Sequence, residues 1–254
     1  MTDAVQTGDA DGVLLITINR PEARNAVNAE VARGVAAAID ALDERDDLRV
    51  GVITGAGGTF CAGMDLKAFL TGERPAIPGR GFAGLTEAPP AKPLIAAVEG
   101  YALAGGCEIA LSCDLVVAAD NAKFGLPEVK RGLFAGGGTT VRLPRQIPYP
   151  AAMELLLCAD QVPAQRAYEM GLLNEVCRPG DLMERAYDYA HRITANGPLA
   201  VRATKSVIAS ADSWPVDEFW SRQQVIVEPV FTSADAREGA LAFAEKRPPR
   251  WTGR

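Results

Sequence analysis

Histidine is nearly absent: the only one in 254 residues is His191. It lies far along the chain in a stretch with helical patterning, which argues against a Ser–His or Cys–His nucleophile, and a single histidine shows no metal-ligand cluster. Cysteine pairs are missing too. Cys61, Cys107, Cys113, Cys158 and Cys177 are odd in number and lack CxxC spacing, so they read as reduced thiols of a cytoplasmic protein. Long apolar runs do not occur. Residues 94–98 and 115–119 fall far short of the roughly 20 residues a membrane helix needs, and the N-terminus MTDAVQTGDADG is acidic without an apolar core, which excludes a secretory signal from the expectation. Positive charge is not in excess. With 26 Lys and Arg against 32 Asp and Glu, the net charge is −6, so there is no basic field for nucleic acid. An anionic ligand would have to be met by local cations. Nucleotide-binding glycine motifs also fail: GAGGTF has Phe60 in the third glycine position, and Gly136, Gly137 and Gly138 lead into Thr139 without a Lys.

What remains is an ordinary globular composition, 48% hydrophobic and 23% charged, enough to bury a sizeable core. Residues 12–19 (GVLLITIN), 49–54 (RVGVIT), 94–98 and 115–119 read as strands. Asn28 is placed to cap a helix whose apolar face is Val31, Val35, Ile39 and Leu42. Strands alternating with helices predict an α/β layered fold. From about residue 150 the pattern is helical, over 151–158, 163–170, 181–196 and 198–209, with two more helices between 215 and 231 and between 233 and 246. Residues 71–93, rich in Gly and Pro, predict a long loop serving as lid or pocket wall, or else a surface excursion.

The chemistry concentrates in three segments: FCAGMDLKAF (60–69), VEGYALAGGCEIALSCDLVVAA (98–119) and AKFGLPEVKRGLFAGGG (122–138). Gly105 and Gly106 precede a short helix expected to run through residues 108–112, and a helix N-terminus offers unpaired N–H groups to an oxyanion. Gly63 makes a second such turn and frees the amide of Met64. Glu108 sits among Ala102, Leu103, Ile109, Ala110 and Leu111, a costly place for a carboxylate that is not paired, hydrogen-bonded or protonated. Glu128 stands in a mixed setting, LPEVKR, where Lys130 or Arg131 could simply pair with it. Two carboxylates at one apolar pocket push their pKa values apart, one serving as acid and the other as base.

Together these segments closely resemble the crotonase family, the enoyl-CoA hydratases and isomerases, from NRPEARNAVN (19–28) to AFAEKR (242–247). The resemblance implies an α/β fold with a ββα spiral core over 1–195 and a C-terminal helical trimerisation region over 196–254, assembled as a homotrimer or a hexamer of two trimers. It implies an oxyanion hole made by the amides of Met64 and Gly105. Glu108 and Glu128 match the family's two hydratase glutamates, the first activating water and the second delivering a proton to the α-carbon. Ala23, Arg24, Ala62, Asp65, Leu66, Phe243 and Lys246 match positions that approach CoA, the last two from a neighbouring subunit. The expected reaction is hydration of a 2-trans-enoyl-CoA to a 3-hydroxyacyl-CoA, in fatty-acid or other lipid metabolism. No metal is expected, and no cofactor beyond the CoA of the substrate. A double-bond isomerase relying on Glu128 alone, a specialised 3-hydroxyacyl-CoA dehydratase and a CoA-ester binding protein are the alternatives. Met64 in place of a small residue, Ala104 in place of a glycine and FAGGG in place of PGAGG leave the acyl group open.

Overall fold

The computed structural model describes residues 4–254. Strands β1 (Val5–Ala10) and β2 (Val13–Ile18) form a hairpin at one edge of a six-stranded sheet. Helix α1 (Ala29–Glu44) crosses to β3 (Val50–Gly55), and Asn28 caps it, its Oδ1 accepting the Val31 amide at 3.0 Å. A short helix α2 (Leu66–Leu70) and a two-residue hairpin, β4 (Ala76–Ile77) and β5 (Gly81–Phe82), lead to β6 (Leu94–Val98).

Next the chain turns a corner. β7 (Tyr101–Leu103) leaves the large sheet and is followed by α3 (Gly105–Ala110). The pattern repeats with β8 (Leu115–Ala119) in the large sheet and β9 (Lys123–Gly125) beside β7 in a small one. Helices α4 (Thr139–Gln146) and α5 (Tyr149–Met153) precede β10 (Val162–Pro163), which pairs with β9, then α6 (Ala164–Glu169) and β11 (Glu175–Cys177), the last strand of the large sheet. The large sheet runs β1-β2-β3-β6-β8-β11, parallel apart from the first pair.

Both faces of that sheet are covered, which is why its strands read as unbroken apolar runs. Ile16, Ile53 and Ala96 face α1, while Val13, Val52, Ile95 and Val117 pack against Leu182, Ala186 and Ala190 of α7 (Leu182–Thr194). Helices α8 (Pro198–Ala211), α9 (Phe219–Phe231) and α10 (Ala234–Glu245) differ: α8 and α9 bury no residue, and Trp220 is 74% and Phe243 88% exposed. The chain after α10 folds back on them. Asp235 Oδ1 accepts the Thr252 amide and hydroxyl at 2.7 and 2.9 Å, its Oδ2 accepts the Gly253 amide at 2.9 Å, and Trp251 Nε1 donates to the Ala195 carbonyl at 2.8 Å. Asp235→Ala leaves three donors unpaired at a buried position, so its urea midpoint is expected to fall by the equivalent of about 2 kcal/mol. An unchanged midpoint would show that the strap contributes nothing.

Three sequence expectations change. The helix near the glycine pair starts at Gly105, not Glu108, because Gly105 and Gly106 themselves form its first turn. The helix over 151–158 is α5 followed by a π-helical turn at Glu154–Cys158. The stretch 71–93 carries a small hairpin, pinned by an ion pair between Arg80 and Asp40. No helix among the described residues is long and apolar enough to cross a membrane, and none of them form a cluster of metal-ligating groups.

Candidate active site

The two glycine turns meet. Residues 60–64 run beside β7 through a bridge from Cys61 to Ala102, and Met64 bridges to Val27. That second bridge uses the Val27 amide to Gly63 and the Asp65 amide to Val27, at 2.8 and 2.9 Å. The Met64 N–H has no partner among the described residues, nor does that of Gly105 in the first turn of α3. Their proximity is fixed by Gly63, at φ +102°. A Cβ added there would stand 2.9 Å from the Ala104 methyl and 3.3 Å from the Gly105 nitrogen. Ala104 itself holds φ 50° and ψ −125°, a backbone region almost confined to glycine. The pair at 105 and 106 is glycine for packing as well as for donors. A Cβ on Gly105 would lie 2.3 Å from the Phe82 ring, and one on Gly106 2.0 Å from the Cys61 carbonyl oxygen.

Glu108 projects from this first turn into a cavity of about 480 Å³, whose wall includes Met64, Phe69, Phe82, Leu103, Glu128 and Phe134. Its Oε1 accepts the Gly137 amide at 2.6 Å, just ahead of α4. Burial raises the Glu108 pKa. The Gly137 amide, the Thr139 amide and hydroxyl, and the positive charge of Arg142 oppose that rise. Thr139 Oγ1 is buried without a well-formed hydrogen bond, yet it lies near enough to favour the charged carboxylate. Glu128 sits in a 3-10 turn over Pro127–Arg131, is 9% exposed, and leaves Oε2 buried without a partner. Its pKa is pushed up to about 7, by burial first and the Glu108 charge second, with its own backbone and Arg131 acting the other way. Two carboxylates with different support thus face one cavity: Glu108 held by donors, Glu128 poised to carry a proton near neutrality. The free thiols beside them do not compete, because burial pushes Cys61 and Cys107 up to about 12.

The remaining expected residues divide. Ala62 and Leu66 line the cavity. Ala23 and Arg24 lie outside its lining, with the Arg24 carbonyl accepting the amide of lining residue Ala62 at 3.0 Å. The Asp65 carboxylate is already committed: it caps α2 through the Lys67 and Ala68 amides and pairs with Arg20 at 3.1 Å. Phe243 and Lys246 lie at the far end of α10, outside the lining of the cavity. Within NRPEARNAVN, Asn25 is a structural bolt, fully buried, with Nδ2 donating to the Ala56 and Thr59 carbonyls at 2.9 and 2.5 Å.

The stretch 71–93 supplies part of the wall, one of the two roles expected of it, through Arg74, Phe82 and Glu87, none of which sequence reading singled out; it also missed Gly137, Thr139 and Arg142 as the support of Glu108. The only sequence signal for the latter was the need of a buried Glu108 for donors.

The sequence matches the family model described as enoyl-CoA hydratase/isomerase over residues 8–254. Among curated relatives, enoyl-CoA hydratase EchA19 of Mycobacterium tuberculosis is 44% identical over 95% of this chain and 93% of its own length. Carnitinyl-CoA dehydratase of Escherichia coli O157:H7 is 42% identical over the whole of both. A crystal structure of an enoyl-CoA hydratase from Mycobacterium tuberculosis H37Rv superposes with a TM-score of 0.97 at 58% identity, covering 100% of each chain.

Proposed function

The chain belongs to the enoyl-CoA hydratase/isomerase family, and from that premise we propose that it adds water across the double bond of a 2-trans-enoyl-CoA. The thioester oxygen sits between the Met64 and Gly105 amides, which strengthen as the carbonyl becomes an enolate. Glu108 takes a proton from water as the water oxygen bonds to the β-carbon. Glu128 gives its proton to the α-carbon as the enolate collapses, leaving OH on one carbon and H on the other. The observation that carries this reading is the pair itself, Glu128 buried with a raised pKa and a free oxygen, opposite Glu108 held by the Gly137 amide. An isomerase needs one carboxylate; here a second is built in and supported.

The active form is the pair carrying one proton, so the rate falls when it loses that proton and when it gains another. Hydration consumes no net proton, and the same bell therefore governs hydration and dehydration. CoA passes along Ala23, Arg24, Ala62 and Leu66 in this reading. Phe243 and Lys246 come from a neighbouring subunit of a trimer or hexamer built on the apolar surface of α8 and α9.

Dehydration of a trimethylammonium-bearing acyl group, suggested by the name of one relative, fits the wall less well. Arg74 and Arg131 line the cavity without an ion pair among the described residues, against Glu87 as the only acid besides the two glutamates. The test follows loss of the enoyl thioester absorbance with crotonyl-CoA and with its 4-trimethylammonio analogue. Wild type should hydrate crotonyl-CoA at least about tenfold better in kcat/KM, and Glu108→Gln should lose about 10²- to 10⁴-fold. Full activity in Glu108→Gln would sink the two-carboxylate mechanism, and a preference for the cationic substrate would make the dehydratase reading the better one.

A further inference from the structure

We propose that Arg142 is a positioning residue that joins the pocket wall of residues 71–93 to the turn holding Glu108. Its guanidinium forks between two carbonyls: Nη1 donates to Gly137 at 2.9 Å and Nη2 donates to Thr86. Thr86 is buried in the wall, one residue from Glu87 and four from Phe82, both of which line the cavity. Gly137 is the residue whose amide binds Glu108. A chain of three hydrogen bonds therefore runs from the wall through one side chain to the carboxylate that activates water, and each link is buried or half-buried.

Two further observations favour this role over plain packing. Arg142 makes no ion pair with any described residue, and the charge it feels is that of Glu108. A half-buried guanidinium without a directly bonded carboxylate is costly, and what it obtains in return is a fixed Gly137 peptide and a cation behind Glu108. The site is also tight: a Cβ on Gly138 would come within 2.6 Å of Arg142 Nη1, and one on Gly137 within 2.7 Å of Glu108 Oε2. The guanidinium thus fills the space beside Gly138, and losing the fork frees that side of the turn to rearrange. The charged groups around Glu108 are Glu128 and Arg131 from the 3-10 turn, Arg142 from α4, and Arg74 and Glu87 from the wall, with the neutral Cys107 thiol on its own helix.

This inference rests on the hydratase reading for its kinetic consequences but not for its structural ones, and two readouts separate them. In the pH profile of crotonyl-CoA hydration, Arg142→Met should lower kcat about 10- to 100-fold with KM within a few-fold. It should also move the acid limb up by about one pH unit, since Glu108 loses its cation, and leave the limb near pH 7 in place. Arg142→Lys should return the acid limb to its wild-type position and only part of kcat, because one ammonium cannot reproduce the planar fork. Hydrogen exchange on the same proteins should show the Gly137 amide and residues 81–87 losing protection together in Arg142→Met. An unmoved acid limb with wild-type kcat, or loss of protection on one side of the fork only, would overturn the proposal. Should Arg142→Met not fold, Arg142→Lys decides alone: wild-type kcat with unchanged protection at both ends of the fork would reject it. A wild type that hydrates no enoyl-CoA, with the exchange result intact, would overturn the hydratase reading and leave the coupling standing.

Discussion

Glu128→Gln is expected to lower hydration of crotonyl-CoA by about a thousandfold while making the protein more stable at pH 8. The first effect follows from removing the proposed proton donor to the α-carbon. The second follows from linkage. The Glu128 pKa rises from an ordinary 4.5 to about 7 on folding, so between those values the native state binds more protons than the unfolded chain. Its contribution to stability is fully present below pH 4.5 and is lost as pH rises through about 7. Above that the ionised side chain is a net cost, at most about 3 kcal/mol and nearer 1–2 kcal/mol once partial solvent access is allowed for. Glutamine carries no such cost. Thermal melts of both proteins at pH 5 and pH 8 should show a gap of a few degrees at the higher pH that closes at the lower. A variant equally stable at both pH values, or one less stable at pH 8, would mean that Glu128 is not held against its preference for water. The pH–rate profile supplies the matching check, an alkaline limb near 7.

The second large effect is expected at Gly106. Alanine there places a methyl 2.0 Å from the Cys61 oxygen and 2.8 Å from its carbonyl carbon. Both are backbone atoms of the segment that bridges to Ala102 and leads into Met64, so no side chain can swing aside. Either α3 or the 60–64 turn must move, and the two amides of the proposed oxyanion hole belong to those two elements. Gly106→Ala should cost about 3 kcal/mol or more of stability and at least about a hundredfold in kcat, the scale of losing one oxyanion donor. Gly180→Ala is the control, since nothing lies within 4 Å of its added methyl and its φ is not positive. It should be neutral in both assays. Equal behaviour of the two variants in urea melts and turnover would refute the account of the glycine pair.

How far the fold could be read beforehand depended on burial. β3, β6 and β8 were legible because both faces of the large sheet are covered and their residues form unbroken apolar runs. β7 and β9 were not: each has three residues, and each exists because the chain turns from one sheet into the other. α4 was obscured by Pro144 within it and by its polar face. At the site, the cost of burying Glu108 was visible in its neighbours, but the amide that offsets it comes from Gly137, 29 positions away, and nothing local announces that pairing. Asp65 was singled out by family resemblance alone, and nothing in its neighbours announces that its carboxylate caps α2 and pairs with Arg20.

Ala104 gives the proposed oxyanion hole a property that a glycine there would not. Its amide donates to the Gly125 carbonyl at 2.8 Å and its carbonyl accepts the Glu108 amide at 3.0 Å, so Ala104 is held on both sides and the peptide carrying the Gly105 N–H is fixed through its carbonyl. Glycine could occupy the same torsions without strain, and could leave them as easily. The methyl removes most of the other basins, which makes this conformation enthalpically uncomfortable but entropically narrow. The donor is thus aimed before substrate arrives, and the ordering that a looser loop would suffer on binding has already been met during folding.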